Sequence, residues 1–223
     1  MAYLLRGALV EYGVNLIGPI PNIVIFQFNP ESLTRNLQIP QRPTGTASRE
    51  QSQAGEAPVE HITLTAHFSA ADQLAGNDPL ARAFGVGPRL AALEKMARPS
   101  GSGGLLGKAL DAIGDALGFG GGDEEVTQPI PRETYPRVLF IWGLTRVLPV
   151  VIDSMTITEQ EYDFILNPVR AEVSLGLSVI IPDPLGDDEI AKGAREYSDL
   201  ARDVQAVANL ANTISQAVDL IPF

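Results

Sequence analysis

The chain has 223 residues, no cysteine, two histidines, and 27 acidic against 16 basic side chains, for a formal net charge of -11. That composition excludes disulfides, thiolate metal sites and a cysteine nucleophile, fits a reducing compartment, and disfavours binding of nucleic acid by counterion release. Hydrophobic residues make up 45% of the sequence, enough for a sizeable core in one large domain or two small ones.

In the opening segment, Arg6, Glu11 and Asn15 interrupt the apolar residues as a secretory signal would not, and no apolar run reaches the ~20 residues that span a bilayer. A cytoplasmic chain with no membrane partner is expected. Residues 3–17 and the stretch NIVIFQF are rich in β-branched and aromatic residues between Gly, Pro and Asn, and predict strands. NIVIFQF runs into Asn29-Pro30. A residue before proline is held extended, so Phe26 to Asn29 finish a strand and Pro30 opens a new direction, with a helical turn through Glu31.

In HITLTAHFSA, Ile62, Leu64, Ala66 and Phe68 alternate with His61, Thr63, Thr65 and His67, the pattern of a strand with one buried face. DPLARAFGVGPRLAALEKMAR predicts a helical segment at about residues 78–98, broken at Gly85 to Pro88, with Asp78 as N-cap and Leu90, Leu93 and Met96 or Ala97 as its apolar face. A glycine-rich insertion follows at about residues 99–128, densest in glycine over 101–122; inside it Leu106, Leu110, Ile113 and Leu117 have the spacing of a short amphipathic helix. Lys108 against Asp111 and Asp115 argues against an anionic membrane as its contact.

RVLFIWG and RVLPVVIDSMTIT predict further strands, and VRAEVSLGLSVI repeats the alternation, with Ala171, Val173, Leu175, Leu177 and Val179 inward and Arg170, Glu172, Ser174 and Ser178 outward. Strands from both ends of the chain, without long helices alternating between them, predict a mainly β fold with flanking helices (α+β), built as an antiparallel barrel or sandwich over residues 1–183. Residues 184–223 predict a C-terminal amphipathic helix with acidic residues at its start. Ile190, Ala194, Tyr197, Ala201, Val204, Ala208 and Ala211 form a stripe at alternating four and three steps, to dock on the chain's own barrel or on a neighbouring subunit, and Ile214, Val218 and Ile221 continue it with a phase shift.

Motifs for chemistry are sparse. GFGGGDEE lacks the Lys-Ser/Thr of a phosphate loop and GSGGLLG follows a helix instead of a strand, so no cofactor is predicted. His61 and His67 share a strand face but stand about 20 Å apart by strand rise, too far to ligate one metal. Either can pair with an outward carboxylate. There is no G-x-S-x-G elbow, and the paired carboxylates at Asp123 to Glu125 and Asp187-Asp188 read as solvated charge, so neither catalytic nor metal-binding residues are assigned.

Three stretches, in this order, resemble the N-terminal domain of the contractile injection system tube proteins of phage-tail-like particles. They are FQFNPESLTRNL with Phe26, Phe28, Asn29 and Pro30; PRVLFIWG with Trp142 and Gly143; and VVIDSMTITEQEYDFILNPVRAEVSLGLSVI with Asn167, Pro168 and Arg170. The resemblance covers residues 1–183. It implies a tail-tube-like β-barrel, six copies of which form a ring around a channel, and as partners the spike hub and the neighbouring tube and baseplate proteins. Many members of that family end in a LysM domain, for which this sequence has the helix instead, so peptidoglycan binding is not carried over. From the residues alone, a free-standing soluble β-barrel binding domain using the glycine-rich loop is the alternative, and an enzyme comes third.

Overall fold

The computed structural model describes residues 5–12, 22–40, 57–99 and 135–220, with side chains of the last helix described through Leu210 and at Thr213. The glycine-rich insertion, its candidate helix and the carboxylates at 123–125 lie outside the described residues, as do the side chains of Ala211, Ile214 and Val218 and the whole of Ile221.

Seven strands form one open sheet: β1 (Ala8–Tyr12), β2 (Ile23–Ile25), β3 (Leu33–Gln38), β4 (Val59–Ser69), β5 (Arg137–Trp142), β6 (Arg146–Tyr162) and β7 (Pro168–Val179). Their order is β2-β1-β5-β6-β7-β4-β3, and every neighbouring pair is antiparallel. The long central strands follow the alternation of the sequence. Ile62, Leu64, Ala66 and Phe68 of β4 and Ala171, Val173, Leu175, Leu177 and Val179 of β7 are all buried in one core, together with Leu9, Val24, Phe26, Phe140 and Leu148. A single isolated bridge, Phe28 to His67, brings the segment after β2 against β4 from the other end of the strand order.

β6 changes parity part-way. Leu148, Val150 and Ile152 face the core before the change and Met155 and Ile157 after it, because the register with β7 shifts between Ile152 and Ser154. Asp153 is the extra residue of that bulge, left without a partner in the β7 ladder. β3 corrects the expected helical turn after Pro30. LTRNLQ has no regular apolar face, and what makes it a strand is the β4 edge, which offers it six paired positions from Leu33–Leu64 to Gln38–Val59.

Helices α1 (Ala71–Ala75), α2 (Pro79–Phe84) and α3 (Gly87–Ala97) follow β4. Asp78 caps α2, its Oδ1 accepting from the N–H groups of Leu80 at 2.8 Å and Ala81 at 3.1 Å. α2 stops at Gly85, which takes φ +57 and lies so close to the Pro168 carbonyl that a Cβ would collide with it. α3 then lays Leu90, Leu93 and Met96 into the core, a burial worth about 1.5–3 kcal/mol for each side chain. The last helix, α4 (Glu189–Leu220), packs against β6.

Candidate functional site

Asn29 and its neighbours form a junction between four segments. Phe26 is fully buried and its N–H donates to the Gly7 carbonyl at 2.9 Å. A Cβ on Gly7 would stand 2.7 Å from the Phe26 ring and 2.8 Å from Trp142, so the absent side chain at Gly7 is what lets these two aromatics meet. Trp142 also stacks on Phe140 with ring centroids 5.8 Å apart. Gln27 Oε1 accepts from the Ser69 N–H at 2.8 Å and from Arg89 of α3 at 2.6 Å. Asn29 closes the junction, its Oδ1 accepting from the Gly7 N–H at 3.0 Å and its Nδ2 donating to the Leu5 carbonyl at 2.8 Å. Pro30 is buried behind it and Phe28 is half exposed.

The second Asn-Pro pair works in the same way. Asn167 Nδ2 donates to the Ala83 carbonyl at the end of α2 at 2.9 Å and to Asp163 at 3.0 Å, while the Pro168 carbonyl accepts from the Val86 N–H at 2.9 Å. Asp163 caps the β6–β7 turn, accepting from the N–H groups of Ile165 and Asn167. Dehydration in the turn raises its pKa, but the hydrogen bonds from Asn167 and Ile165 outweigh that and hold the carboxyl below its ordinary range. The turn presents Phe164 and Leu166 to solvent, and Arg170 pairs with Glu161 at 3.3 Å. Gly143, at φ +66, makes the β5–β6 turn.

The outward residues of β4, β7 and β6 meet in rows. Thr65, Ser174 and Thr156 share one row and His67, Glu172 and Thr158 the next, giving a continuous polar face opposite the core. Thr65 and Ser174 hydroxyls are 3.2 Å apart. At one end His61, Ser178 and Asp153 come together. Ser178 Oγ lies 2.7 Å from His61 Nδ1 and donates to Asp153, whose carboxylate is 3.7 Å from the same Nδ1. Nucleophilic catalysis needs the carboxylate on the imidazole nitrogen opposite the serine. Here hydroxyl and carboxylate approach one nitrogen, so the cluster ties three strands without orienting a base. His67 stands six residues along β4, and among the described residues no group of three or more His, Cys, Asp or Glu could hold a metal.

α4 is held by polar contacts along its first half, among them the Tyr197 hydroxyl, which donates to the Leu144 carbonyl in the β5–β6 turn. Asp188 caps it at the Ala191 N–H (2.9 Å), accepts from the Tyr12 hydroxyl at 3.0 Å and faces Arg137 at 3.4 Å. Burial, with the Asp188 hydrogen bond and charge, raises the Tyr12 phenol well above its ordinary value. About two helix turns past Ala191, Ser198 Oγ accepts from the Val147 N–H at 2.8 Å and donates to the Val147 carbonyl at 2.7 Å, satisfying β6 beyond the last β7 residue that reaches it. Arg202 then binds Glu60 at 2.9 Å. Glu60 is 4% exposed and also bound by Arg35 of β3 at 2.6 Å. Burial opposes its ionisation, but the two guanidinium groups prevail and hold its carboxyl below the usual range. The pKa of the neighbouring Arg146 is also lowered, by burial and by the charge of Arg35.

The expected stripe on α4 therefore divides. Ala194 is buried on β6 and Ala201 partly so, whereas Ile190, Tyr197, Val204 and Ala208 are exposed. The docked face is Ala191, Ala194 and Ser198, one position round from the expected one. Glu60, Ser198, Gln27 and Gly7 were not singled out in the sequence. Glu60 carried a legible signal, since the alternation that buries Ile62 and Leu64 also points residue 60 inward, where a carboxylate requires a cation. A shallow groove of about 460 Å³ between the end of α3 and β6 is lined by Glu94, Ala97, Arg98, Asp153, Met155 and Ile157.

No protein-family model and no curated protein matches the sequence. Among the described residues no helix is long and apolar enough to cross a membrane.

Proposed function

We propose that the chain is a structural subunit of a contractile phage-tail-like injection particle, forming a six-membered ring at the baseplate end of the inner tube, between spike hub and tube. It acts by assembly, without turnover, and is made in the cytoplasm and built into the particle there. The observation that carries this reading is the convergence of the resembling stretches. Phe26 and Asn29 of the first and Trp142 of the second meet at Gly7, and Asn167 and Pro168 of the third secure α2, so residues that look alike in order also act alike as structural joints.

The fold expected of a tube subunit, a closed β-barrel, is supported by the Phe28 to His67 bridge, which brings the segment leaving the edge strand β2 against β4, next to the opposite edge. The polar face of β4, β7 and β6 suits a channel wall past which cargo slides, or a seam between subunits. The acidic net charge helps keep free subunits soluble until they meet a template.

Native mass measurement of the chain mixed with hub and tube subunits tests the ring, with six copies expected. A chain that stays monomeric with every particle component overturns it. Electron microscopy of particles from a strain lacking the chain tests the position: normal tubes on complete baseplates contradict an adaptor role.

A further inference from the structure

The second half of α4 leaves the body of the protein. Every residue from Asp203 to Leu210 is exposed, an overhang of eight residues, about 12 Å at the rise of an α-helix, and the helix itself runs on to Leu220. Helices of this length are marginal in water by themselves and draw their stability from packing an apolar face. This overhang has such a face. Leu200, Val204 and Val207 are 64%, 61% and 66% exposed, with Leu210 beside them at 59%. In sequence the four-three spacing continues through Ala211, Ile214 and Val218. That heptad seam is shifted from the stripe that contains Ala194, and its direction differs too. At about 100° per residue, Leu200, Val204 and Val207 lie roughly 180–240° round the helix from Ser198. The seam therefore points away from the sheet on which the helix is docked.

We infer that this seam is a self-association surface, which pairs in parallel register with the α4 seam of a second copy of the chain. Charge selects that occupant. In a chain of net charge -11, residues 203–220 carry only two ionisable groups, Asp203 and Asp219. A basic partner helix would find almost nothing to pair with. In a parallel pair with Leu200 and Val207 at d and Val204 at a, Asp203 takes a g position facing Ala208 of the other copy. Asp203 therefore does not meet its own image, and the seam is neutral and apolar against itself.

The inference does not rest on the particle reading and is tested on the purified full-length chain alone. Because the sequence has no cysteine, Val207→Cys introduces a single thiol. Mild oxidation is expected to give a disulfide-linked dimer several-fold faster than Asn209→Cys, which lies on the far side of the helix. Leu200→Glu with Val207→Glu is expected to convert the associated chain to monomer in light scattering, with the thermal transition of the sheet kept. A wild-type chain that is monomeric up to its solubility limit overturns the inference, and so does equal cross-linking at positions 207 and 209. Association that survives the two glutamates also overturns it. A wild-type chain that is monomeric alone but joins a six-membered ring with hub and tube subunits would sink this inference and leave the proposed function standing.

Discussion

Two inward carboxylates behave differently because of what surrounds them. Glu60 binds two arginines that are each about one-third exposed, Arg35 at 29% and Arg202 at 33%. Glu60→Gln removes the anion but leaves those cations able to turn to water, so a loss of about 1–3 kcal/mol is expected, measured by urea denaturation. With its pKa depressed in the fold, Glu60 contributes stability that is present above its unfolded value of about 4.3 and is lost as pH falls through the folded value. The difference between wild type and Glu60→Gln therefore shrinks in acid, and a difference that is constant from neutral pH to acid contradicts the ion cluster. Glu11 is 1% exposed, and its oxygens have no hydrogen-bond partner, with the Lys95 ammonium 3.8 Å away. Replacing both with methionine exchanges a poorly satisfied buried pair for packing, so Glu11→Met with Lys95→Met is expected to be neutral or stabilising by about 1–4 kcal/mol. A clear drop in melting temperature would refute that. Neither cluster was evident in the sequence, since Glu60 lies 25 positions from Arg35 and 142 from Arg202, and Glu11 and Lys95 are likewise brought together only by folding.

At the scale of elements, α4 is joined to the sheet by side chains substituting for backbone partners. Ser198→Ala strips both hydrogen bonds from Val147 where no strand can replace them, with an expected cost of about 1–3 kcal/mol and faster hydrogen exchange in the first half of α4. Unchanged exchange there would show that the contact is dispensable. The alkaline limit belongs to the same helix. The Tyr12 phenol is raised in the fold, so its contribution is complete below its unfolded value of about 10 and is lost as pH rises beyond it. Tyr12→Phe removes that alkaline loss, which melting temperatures on either side of the limit would register. β4, β7, α2 and α3 were legible in the sequence because their apolar periods are unbroken. β3 was not, because an edge strand with few apolar residues is specified by its neighbour's free ladder.

For the whole molecule, the joints at Asn29 and Asn167 matter more than their exposure suggests. Asn29→Ala unties Leu5 and Gly7 from the segment after β2, and is expected to cost about 1–3 kcal/mol and to lower the yield of rings or particles, with no catalytic assay needed to see it. Full assembly by a stable Asn29→Ala chain would separate the joint from the proposed function.

The sequence by itself determined the mainly β class, the inward and outward faces of β4 and β7, the Asp78 cap of α2, the core face of α3, and the two Asn-Pro corners. Those features depend on local spacing and on backbone restrictions that a residue imposes on its neighbours. Tertiary structure alone decided the strand order, the bulge that turns Asp153 to Ser178, the meeting of Glu60 with Arg35 and Arg202, and which side of α4 faces the sheet. Each of these depends on contacts between distant segments, and on a helix the choice between adjacent apolar stripes is settled by whichever one finds polar partners where it docks.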